Sequence, residues 1–451
     1  MAASSVPITD ASAGDKPGLQ MSKQGWPNGG ERADVRVLVV DDSAVVRRVL
    51  ASVVQDEPGL VLAGEAADGR AALAKVERCH PDVVVLDIEM PVMDGLASLV
   101  ELKARWPWLP VIMFSTLTER GAAATLEALG RGADDYLVKP VSTSGPAGAF
   151  EAVSRDLVPL LRTWSQIGRA RYARRAARPA GVAPETRARL RGGVGGPKVI
   201  AGVQANSVGL AHASSVSGGA PYASASSKAV RPLGGLGPRP LAAAVKAVVI
   251  GSSTGGPNAL GVVVPLLPAD LAVPVLVVQH MPPVFTRLLA ERLGSQSALQ
   301  VCEAQDGMAV EAGHLYVAPG ALHMVVQGPG KNPTVRLDDS PPENSCKPSV
   351  DVLFRSAAHA WGEGVLAVVL TGMGQDGLLG AREVISAGGA VIAQDEASSV
   401  VWGMPGAVVK AGLAAEVLPV GEVAQAVYRR VRGEALRSSA HAGAPLAETA
   451  S

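Results

Sequence analysis

Short runs of Val, Leu and Ile alternate with helical patterns in two separate blocks of the chain, which restricts each block to a parallel α/β fold. Residues 37–40 and 83–86 are such runs in the first block, and residues 248–250 and 276–278 are such runs in the second. A continuous aliphatic run of this length is typical of a strand that is buried on both faces of a sheet. Because 451 residues exceed the usual size of a single domain, we expect two domains.

The aliphatic run at residues 248–250 leads directly into the sequence GSSTGGP at residues 251–257. Its glycines permit a sharp turn, and Pro257 suits the first turn of a following helix. The pattern fits a nucleophile elbow that exposes Ser253. It also fits a phosphate-binding glycine loop or a purely structural turn, because glycine-rich turns between a strand and a helix are common in α/β folds.

Two further aliphatic runs end in residues that can carry chemistry. Residues 276–278 lead to His280, and residues 365–370 lead to a loop that contains Asp376. Taken singly, His280 fits a histidine at the edge of the core and Asp376 fits a helix cap. The carboxyl ends of parallel strands converge on one crevice, so together with Ser253 they predict a catalytic triad. The order Ser, His, Asp along the chain differs from that of the α/β-hydrolases and disfavours that superfamily.

The segments between residues 247 and 418 resemble the catalytic domain of the chemotaxis protein-glutamate methylesterases. The matching motifs are GSSTGG (251–256), QHMP (279–282), VAPG (317–320), PSVDVLF (348–354), LTGMGQDG (370–377), AQDEASS (393–399) and GMP (403–405). The resemblance implies a Rossmann-like, doubly wound parallel sheet over residues 244–434. It also implies that Ser253 is the nucleophile, that His280 is the general base and acid, and that Asp376 orients His280.

The same resemblance implies that the backbone amides of Met373 and Thr254 stabilise the oxyanion, and that the ester reaction uses no cofactor. Gln375 departs from the family, in which Asn is more usual at this position. Since Gln375 lies beside the acid, we expect the difference to affect the fine geometry of the site and not its chemistry.

Four predicted strands of the first block also end in polar residues. Asp41 and Asp42 follow the first run, and Asp87, Ser115 and Lys139 follow the others. Any one of them fits a solvated group at a strand end. Together they place three carboxylates, a hydroxyl and an ammonium at one edge of the sheet, which predicts a Mg²⁺ site because oxygen ligands suit this ion.

Residues 34–161 resemble the receiver domain of response regulators, which implies a flavodoxin-like (βα)5 fold. By this resemblance Asp87 accepts a phosphoryl group, and Ser115 and Lys139 sense it. Tyr136 matches the aromatic switch residue. The implied Mg²⁺ ligands are Asp41, Asp42, Asp87 and the carbonyl of Glu89.

The combined resemblance implies a phosphorylation-activated serine hydrolase that demethylates glutamate methyl esters on methyl-accepting chemoreceptors. Some members of the family also deamidate receptor glutamines, and a chemotaxis histidine kinase supplies the phosphoryl group. Two alternatives are a DNA-binding regulator and a receptor-binding adaptor without catalysis. The absence of a helix-turn-helix pattern argues against the first, and the complete triad argues against the second.

Composition places three segments outside the two domains, at residues 1–33, 162–243 and 435–451. Residues 163–246 contain thirteen Lys and Arg but only one acid, Glu185, and are rich in Gly, Ser, Ala and Pro. We expect a disordered, solvated linker. Its first arginines could instead extend the helix predicted at residues 150–161 or contact acidic partners, nucleic acid or lipid headgroups. The net charge of zero gives no reason to expect nucleic acid or an anionic membrane as a partner.

The remaining signals predict an intracellular monomer. Cys79, Cys302 and Cys346 are widely spaced, so we expect reduced thiols and neither a disulfide framework nor a zinc site. No apolar run approaches the length of a membrane span, and the first residues lack the pattern of a secretion signal. We therefore expect a cytoplasmic protein. His314, His323 and His359 have no metal-ligand spacing with acids, so we expect them to be structural.

Overall fold

A computed structural model describes residues 33–140, 145–177, 244–328 and 332–433. The predicted tails at residues 1–33 and 435–451 lie almost wholly outside these ranges. The predicted linker at residues 162–243 lies outside them from residue 178 onward. Within the described ranges, no helix combines the length and the apolar character that crossing a membrane requires.

The first domain contains a five-stranded parallel sheet. Its strands are β1 (Val35–Val40), β2 (Leu60–Ala66), β3 (Val83–Asp87), β4 (Val111–Ser115) and β5 (Asp135–Val138). Its helices are α1 (Ala44–Asp56), α2 (Gly69–Cys79), α3 (Gly95–Arg105), α4 (Glu119–Gly130) and α5 (Gly145–Ala176). The strand order β2-β1-β3-β4-β5 confirms the predicted flavodoxin-like fold.

The aliphatic runs of this domain are buried on both faces of the sheet, as their composition predicts. Alternate residues of β1 pack either with α1 and α5 or with α2, α3 and α4. Each of the helices α1 to α4 begins at a side chain that accepts a hydrogen bond from a backbone N–H in the first turn. These N-cap residues are Ser43, Asp68, Asp94 and Thr118.

Helix α5 corrects the predicted boundary at residue 161, because the helix continues to Ala176. Beyond that boundary, Trp164 is fully buried and donates from Nε1 to Oδ2 of Asp135 at 3.0 Å. Two arginines of the same segment pair with acids of this domain, Arg169 with Asp82 (2.8 Å) and Arg171 with Asp134 (2.6 Å). The start of the basic tract therefore follows the helical alternative, because the domain supplies both an apolar site and compensating charge.

The second domain contains a seven-stranded parallel sheet and a two-stranded antiparallel hairpin. The strands of the sheet are β6 (Ala247–Ser252), β7 (Val275–Gln279), β8 (Gln300–Glu303), β9 (His314–Val317), β12 (Val365–Val369), β13 (Ala390–Gln394) and β14 (Glu416–Leu418), and those of the hairpin are β10 (His323–Gln327) and β11 (Thr334–Asp338). The helices are α6 (Gly256–Val263), α7 (Phe285–Gly294), α8 (Val350–Trp361), α9 (Leu378–Ser386), α10 (Met404–Lys410) and α11 (Val420–Val431).

The strand order β14-β13-β12-β6-β7-β9-β8 places the first strand of this domain at the centre of the sheet. Helices α6, α7 and α11 pack on one face and α8, α9 and α10 on the other, so the sheet is doubly wound as predicted. Strands β7 and β12 flank β6, and the chain leaves β6 first toward β7 and later returns on the other side at β12. Such a switch point opens a crevice at the carboxyl ends of the strands.

Candidate active site and phosphorylation site

The turn after β6 presents Ser253 at the edge of the sheet. The backbone N–H of Ser253 donates to the carbonyl of Thr371, which follows β12, at 3.0 Å. Gly255 adopts a positive φ of 75°, and a Cβ at Gly256 would lie 1.9 Å from Oε1 of Gln279. Glycine is therefore required at both positions, at one for the backbone conformation and at the other for close packing.

The segment after β12 packs against the same turn. A Cβ at Gly372 would lie 2.9 Å from Cβ of Ser253, so only glycine allows this approach. Oγ1 of Thr371 donates to the carbonyl of Thr254 at 3.0 Å and ties the two turns together. The predicted oxyanion donors, Thr254 and Met373, therefore lie on two turns that meet beside Ser253 and line one cavity with it.

His280 follows β7 and contacts Asp376 from the loop after β12. Nε2 of His280 lies 2.8 Å from Oδ2 of Asp376, so Nδ1 is the ring nitrogen left to exchange a proton. Ser253 lines the same cavity as His280, but within the described part of the chain its Oγ makes no hydrogen bond to the imidazole. Hydrogen bonds between a nucleophile and its base commonly tighten only when substrate binds.

Asp376 is buried and is held by the first turn of α8. Its carboxylate accepts hydrogen bonds from the backbone N–H groups of Val350 (2.7 Å) and Asp351 (3.0 Å) and from the hydroxyl of Ser349 (3.0 Å). Nδ2 of Asn344 lies 3.2 Å away and also donates. The positive end of a helix and several donors thus stabilise a buried charge. Sequence reasoning missed the supporting role of this helix, although its PSVDVLF motif was the available signal.

These contacts move both pKa values of the pair. Burial alone lowers the pKa of His280, but the hydrogen bonds to Asp376 and to Cys346 outweigh it and raise the pKa to about 9. Burial raises the pKa of Asp376, but His280 and the N–H groups of α8 more than offset this effect and lower the pKa to about 2. Asp376 is therefore an anion that stabilises the protonated form of His280.

Cys346 is a third side chain at this pair, and sequence reasoning did not place it there. Its Sγ lies 3.5 Å from Nδ1 of His280. A tight turn presents it: Glu343 and Cys346 exchange two backbone hydrogen bonds of 2.9 and 3.1 Å. The intervening residues Asn344 and Ser345 both adopt positive φ, as in a type I′ turn.

The crevice is a cavity of about 670 Å³, and both domains line it. The second domain contributes Ser253 and His280, and the first domain contributes Tyr136 and Val138 from β5 together with Arg155 from α5. Asp135 of the first domain and Thr254, next to the predicted nucleophile, both line this cavity. The first domain therefore walls one side of the crevice.

Helices α4 and α7 form a second contact between the domains. Nη2 of Arg287 lies 2.7 Å from Oε1 of Glu119, and Nη1 of Arg292 donates to the carbonyl of Leu126 at 2.6 Å. The ring of Tyr136 stacks on that of Phe285 with centroids 5.0 Å apart. The predicted switch residue is thus part of the contact between the two domains.

The strand ends of the first domain gather the charges that the sequence predicts. Nζ of Lys139 lies 2.8 Å from Oδ1 of Asp87 and 2.8 Å from Oδ2 of Asp41. Asp87, Ser115 and Lys139 line a cavity of about 250 Å³ with Asp42 and Glu89. Oγ of Ser115 donates to the carbonyl of Gly121 at 3.0 Å and is not turned to Asp87. Burial raises the pKa of Asp87 to about 6 despite its pairing with Lys139.

The donor set of this cavity fits Mg²⁺. Ligand oxygens of Asp41, Asp42 and Asp87 lie within 4.8 Å of one another. Oδ2 of Asp41 is buried and accepts no hydrogen bond of good geometry from the described residues, although Lys139 forms an ion pair with it. A buried carboxylate oxygen with unused acceptor capacity, beside two further carboxylates, is what a hard cation requires.

The first domain has a (βα)5 fold with a cavity that carboxylates and a lysine line at its strand ends. The second is a parallel-sheet domain with a serine, a histidine and an aspartate after its strands. Together they define a response regulator with an enzymatic output domain. Comparison with protein families agrees. Residues 37–145 match the response regulator receiver domain, and residues 248–427 match the CheB methylesterase family.

Curated relatives that align with most of this chain share one name. A protein-glutamate methylesterase/protein-glutamine glutaminase of Nocardioides sp. is 44% identical over 88% of this chain and 95% of its own length. A protein of the same name from Trichodesmium erythraeum is 39% identical over 88% of this chain and 99% of its own length. The crystal structure of the Thermotoga maritima CheB methylesterase catalytic domain, at 44% identity, covers 42% of this chain and 99% of that chain with a TM-score of 0.41. The chain belongs to the CheB methylesterase family.

Proposed function

We propose that this protein hydrolyses glutamate γ-methyl esters of methyl-accepting chemoreceptors by a serine mechanism that phosphorylation of Asp87 activates. The observation that carries the mechanism is the 2.8 Å pair of His280 and Asp376 in the crevice that Ser253 lines. Membership of the family supports the reaction class. In the cell we expect a chemotaxis histidine kinase to supply the phosphoryl group.

In the first half-reaction, Oγ of Ser253 attacks the ester carbonyl while Nδ1 of His280 accepts the hydroxyl proton. The backbone N–H groups of Thr254 and Met373 stabilise the oxyanion. Collapse of the tetrahedral intermediate breaks the bond to the methoxy group, and His280 returns the proton to form methanol. Asp376 holds Nε2 throughout, which fixes the imidazole and stabilises its protonated form.

In the second half-reaction, a water attacks the acyl-enzyme and gives its proton to His280. His280 then returns this proton to Oγ of Ser253 as the acyl bond breaks, which releases the glutamate side chain and regenerates the Ser253 hydroxyl. A receptor glutamine can follow the same course with ammonia as the leaving group, because its primary amide forms the same acyl-enzyme. Each step uses only the protein and water.

The first domain controls access to this chemistry. When bound, Mg²⁺ would be held by Asp41, Asp42, Asp87 and the Glu89 carbonyl and would neutralise charge during phosphoryl transfer. The phosphoryl group adds acceptor oxygens that Ser115 and Lys139 can bind. Turning Ser115 away from Gly121 and moving Tyr136 would disturb the stacking of Tyr136 on Phe285.

Release of labelled methanol from a methylated receptor fragment tests the proposal. We expect the wild-type protein with a small-molecule phosphodonor to release methanol, and Ser253→Ala to release almost none. Receptor binding without methanol release would instead support the adaptor alternative, and salt-dependent binding of duplex DNA by residues 247–451 would support the DNA-binding alternative.

A further inference from the structure

We propose that the crevice contains an inhibitory zinc site formed by Nδ1 of His280 and Sγ of Cys346. The two atoms lie 3.5 Å apart. Zinc binds histidine nitrogen at about 2.0–2.1 Å and cysteine sulfur at about 2.3 Å in tetrahedral geometry, which separates the two ligand atoms by about 3.6 Å. The side chains already have the separation that a zinc ion requires.

Asp376 contacts the ring nitrogen of His280 that would not bind zinc, as a carboxylate does in many protein zinc sites. A histidine that binds a metal through one nitrogen usually donates from the other to a carboxylate, which fixes the ring and increases its basicity. Nε2 of His280 makes this contact with Asp376 at 2.8 Å, so Nδ1 is the ring nitrogen that faces Cys346. The three side chains place one ligand atom each within 4.8 Å of one another.

The cysteine is also held in place before any ion binds. Two backbone hydrogen bonds close its turn, and Asn344 in that turn donates to both Asp351 (2.7 Å) and Asp376 (3.2 Å). Cys346 lines the cavity of about 670 Å³, which has room for water molecules to complete the coordination. The wide spacing along the sequence hid this site, because only folding brings Cys346 to His280.

Binding of zinc displaces the thiol proton of Cys346 and any proton on Nδ1, and both pass to solvent. The zinc ion then occupies the lone pair that would accept the proton of Ser253, so hydrolysis stops. Binding itself rests only on the geometry of His280 and Cys346. Inhibition rests in addition on the proposed function.

Cobalt(II) reports binding without any measurement of activity, since a Co²⁺–thiolate bond gives a charge-transfer absorption in the near-ultraviolet. The full-length protein, reduced and freed of metal, is titrated with cobalt chloride and then with competing zinc chloride. We expect the band in the wild-type protein and its loss when zinc is added. We also expect the band in Ser253→Ala and in the matched control Cys302→Ser. Sγ of Cys302 lies 3.9 Å from Sδ of Met308 and away from His280 in the wild-type protein.

Cys346→Ser and His280→Ala should each lose the band. Absence of the band in the wild-type protein, or its persistence in Cys346→Ser, overturns the site. In a parallel assay, zinc at ten times its dissociation constant should lower methanol release about tenfold by mass action. Each variant is compared with its own rate without zinc, and Cys346→Ser should show no such loss. A wild-type protein that shows the band but no hydrolysis without zinc would contradict the proposed function and leave the metal site supported.

Discussion

Nε2 of His280 lies 2.8 Å from Oδ2 of Asp376, although 96 residues separate the two along the chain. The first turn of α8 fixes the carboxylate through the N–H groups of Val350 and Asp351. The carboxylate in turn determines which nitrogen of His280 carries a proton and which one can act as a base. The proposed chemistry of the crevice therefore depends on a helix that supplies neither the proposed nucleophile nor the proposed base.

Ser253→Ala should lower methanol release by about 10⁴-fold or more, the scale of loss when a triad nucleophile is removed. The fold should persist, because a small residue still suits the turn. Methanol release by His280→Ala should fall nearly as far, and methanol release by the double variant should fall little further. Ser340→Ala, at an exposed serine, is the control. Near-normal methanol release by Ser253→Ala would exclude the serine mechanism.

The pH dependence should reflect the raised pKa of His280. Only neutral His280 can accept the Ser253 proton, so kcat/KM for a small ester should rise with pH. Because the pKa of His280 is raised from 6.5 to about 9, the midpoint of this rise should lie well above 6.5. The rates are measured in the presence of a chelator.

Cys346→Ser removes one of the contacts that raise this pKa, so its profile should move to lower pH. A wild-type midpoint at or below 6.5 would contradict the assignment of His280 as the base. Identical profiles for the two proteins would show that the sulfur does not influence the imidazole.

The contact between the domains should restrain activity on receptors. Arg292 donates to the carbonyl of Leu126 across this contact at 2.6 Å. Arg292→Ala removes a charged hydrogen bond, so a loss of about 1 kcal/mol in docking should raise the basal rate on a receptor fragment about fivefold. Hydrolysis of a small ester should change less. Arg382→Ala, at an exposed arginine of α9, serves as the control.

A fragment that begins at Ala247 gives the stronger comparison. Without the first domain, the crevice loses the wall that Tyr136, Val138 and Arg155 supply. We expect this fragment to hydrolyse receptor esters faster than the full-length protein without phosphodonor. If it is no faster, the first domain does not inhibit by occlusion.

Asp87→Asn should abolish stimulation by a small-molecule phosphodonor with Mg²⁺ while keeping the basal rate. The substitution removes the acceptor carboxylate, but Asp87 lies outside the crevice that binds the ester. The measurement is the ratio of methanol release with and without phosphodonor. Persistent stimulation in Asp87→Asn would place the phosphoryl group elsewhere.

The extended helix α5 should stabilise the first domain. A fragment of residues 34–161 lacks Trp164, which is fully buried, whereas a fragment of residues 34–177 retains it. Loss of a buried tryptophan costs about 3–5 kcal/mol, and the shorter fragment should unfold at a correspondingly lower denaturant concentration. Trp164→Ala in the longer fragment should reproduce most of the difference. Equal midpoints would show that the helix beyond residue 161 is dispensable.

Local patterns were enough to predict two parallel α/β domains and the strand ends that hold the candidate residues, whereas the specific folds were implied by the family resemblance. Aliphatic runs such as residues 248–250 are typical of buried strands, and parallel strands bring their carboxyl ends to one edge. Ser253, His280 and Asp87 were predicted in this way. Ser253 and His280 follow a strand directly and Asp87 is the last residue of one, so the strand fixes the position of each.

Only the tertiary structure decided what lies beside these residues. Cys346 and the first turn of α8 reach the crevice from a loop and a helix whose sequence does not reveal their neighbours. The extension of α5 depends in the same way on the apolar site and the acids that receive Trp164 and Arg169. The sequence by itself determines local conformation and burial, whereas contacts between distant segments arise when the chain packs as a whole, because their energies depend on which surfaces meet.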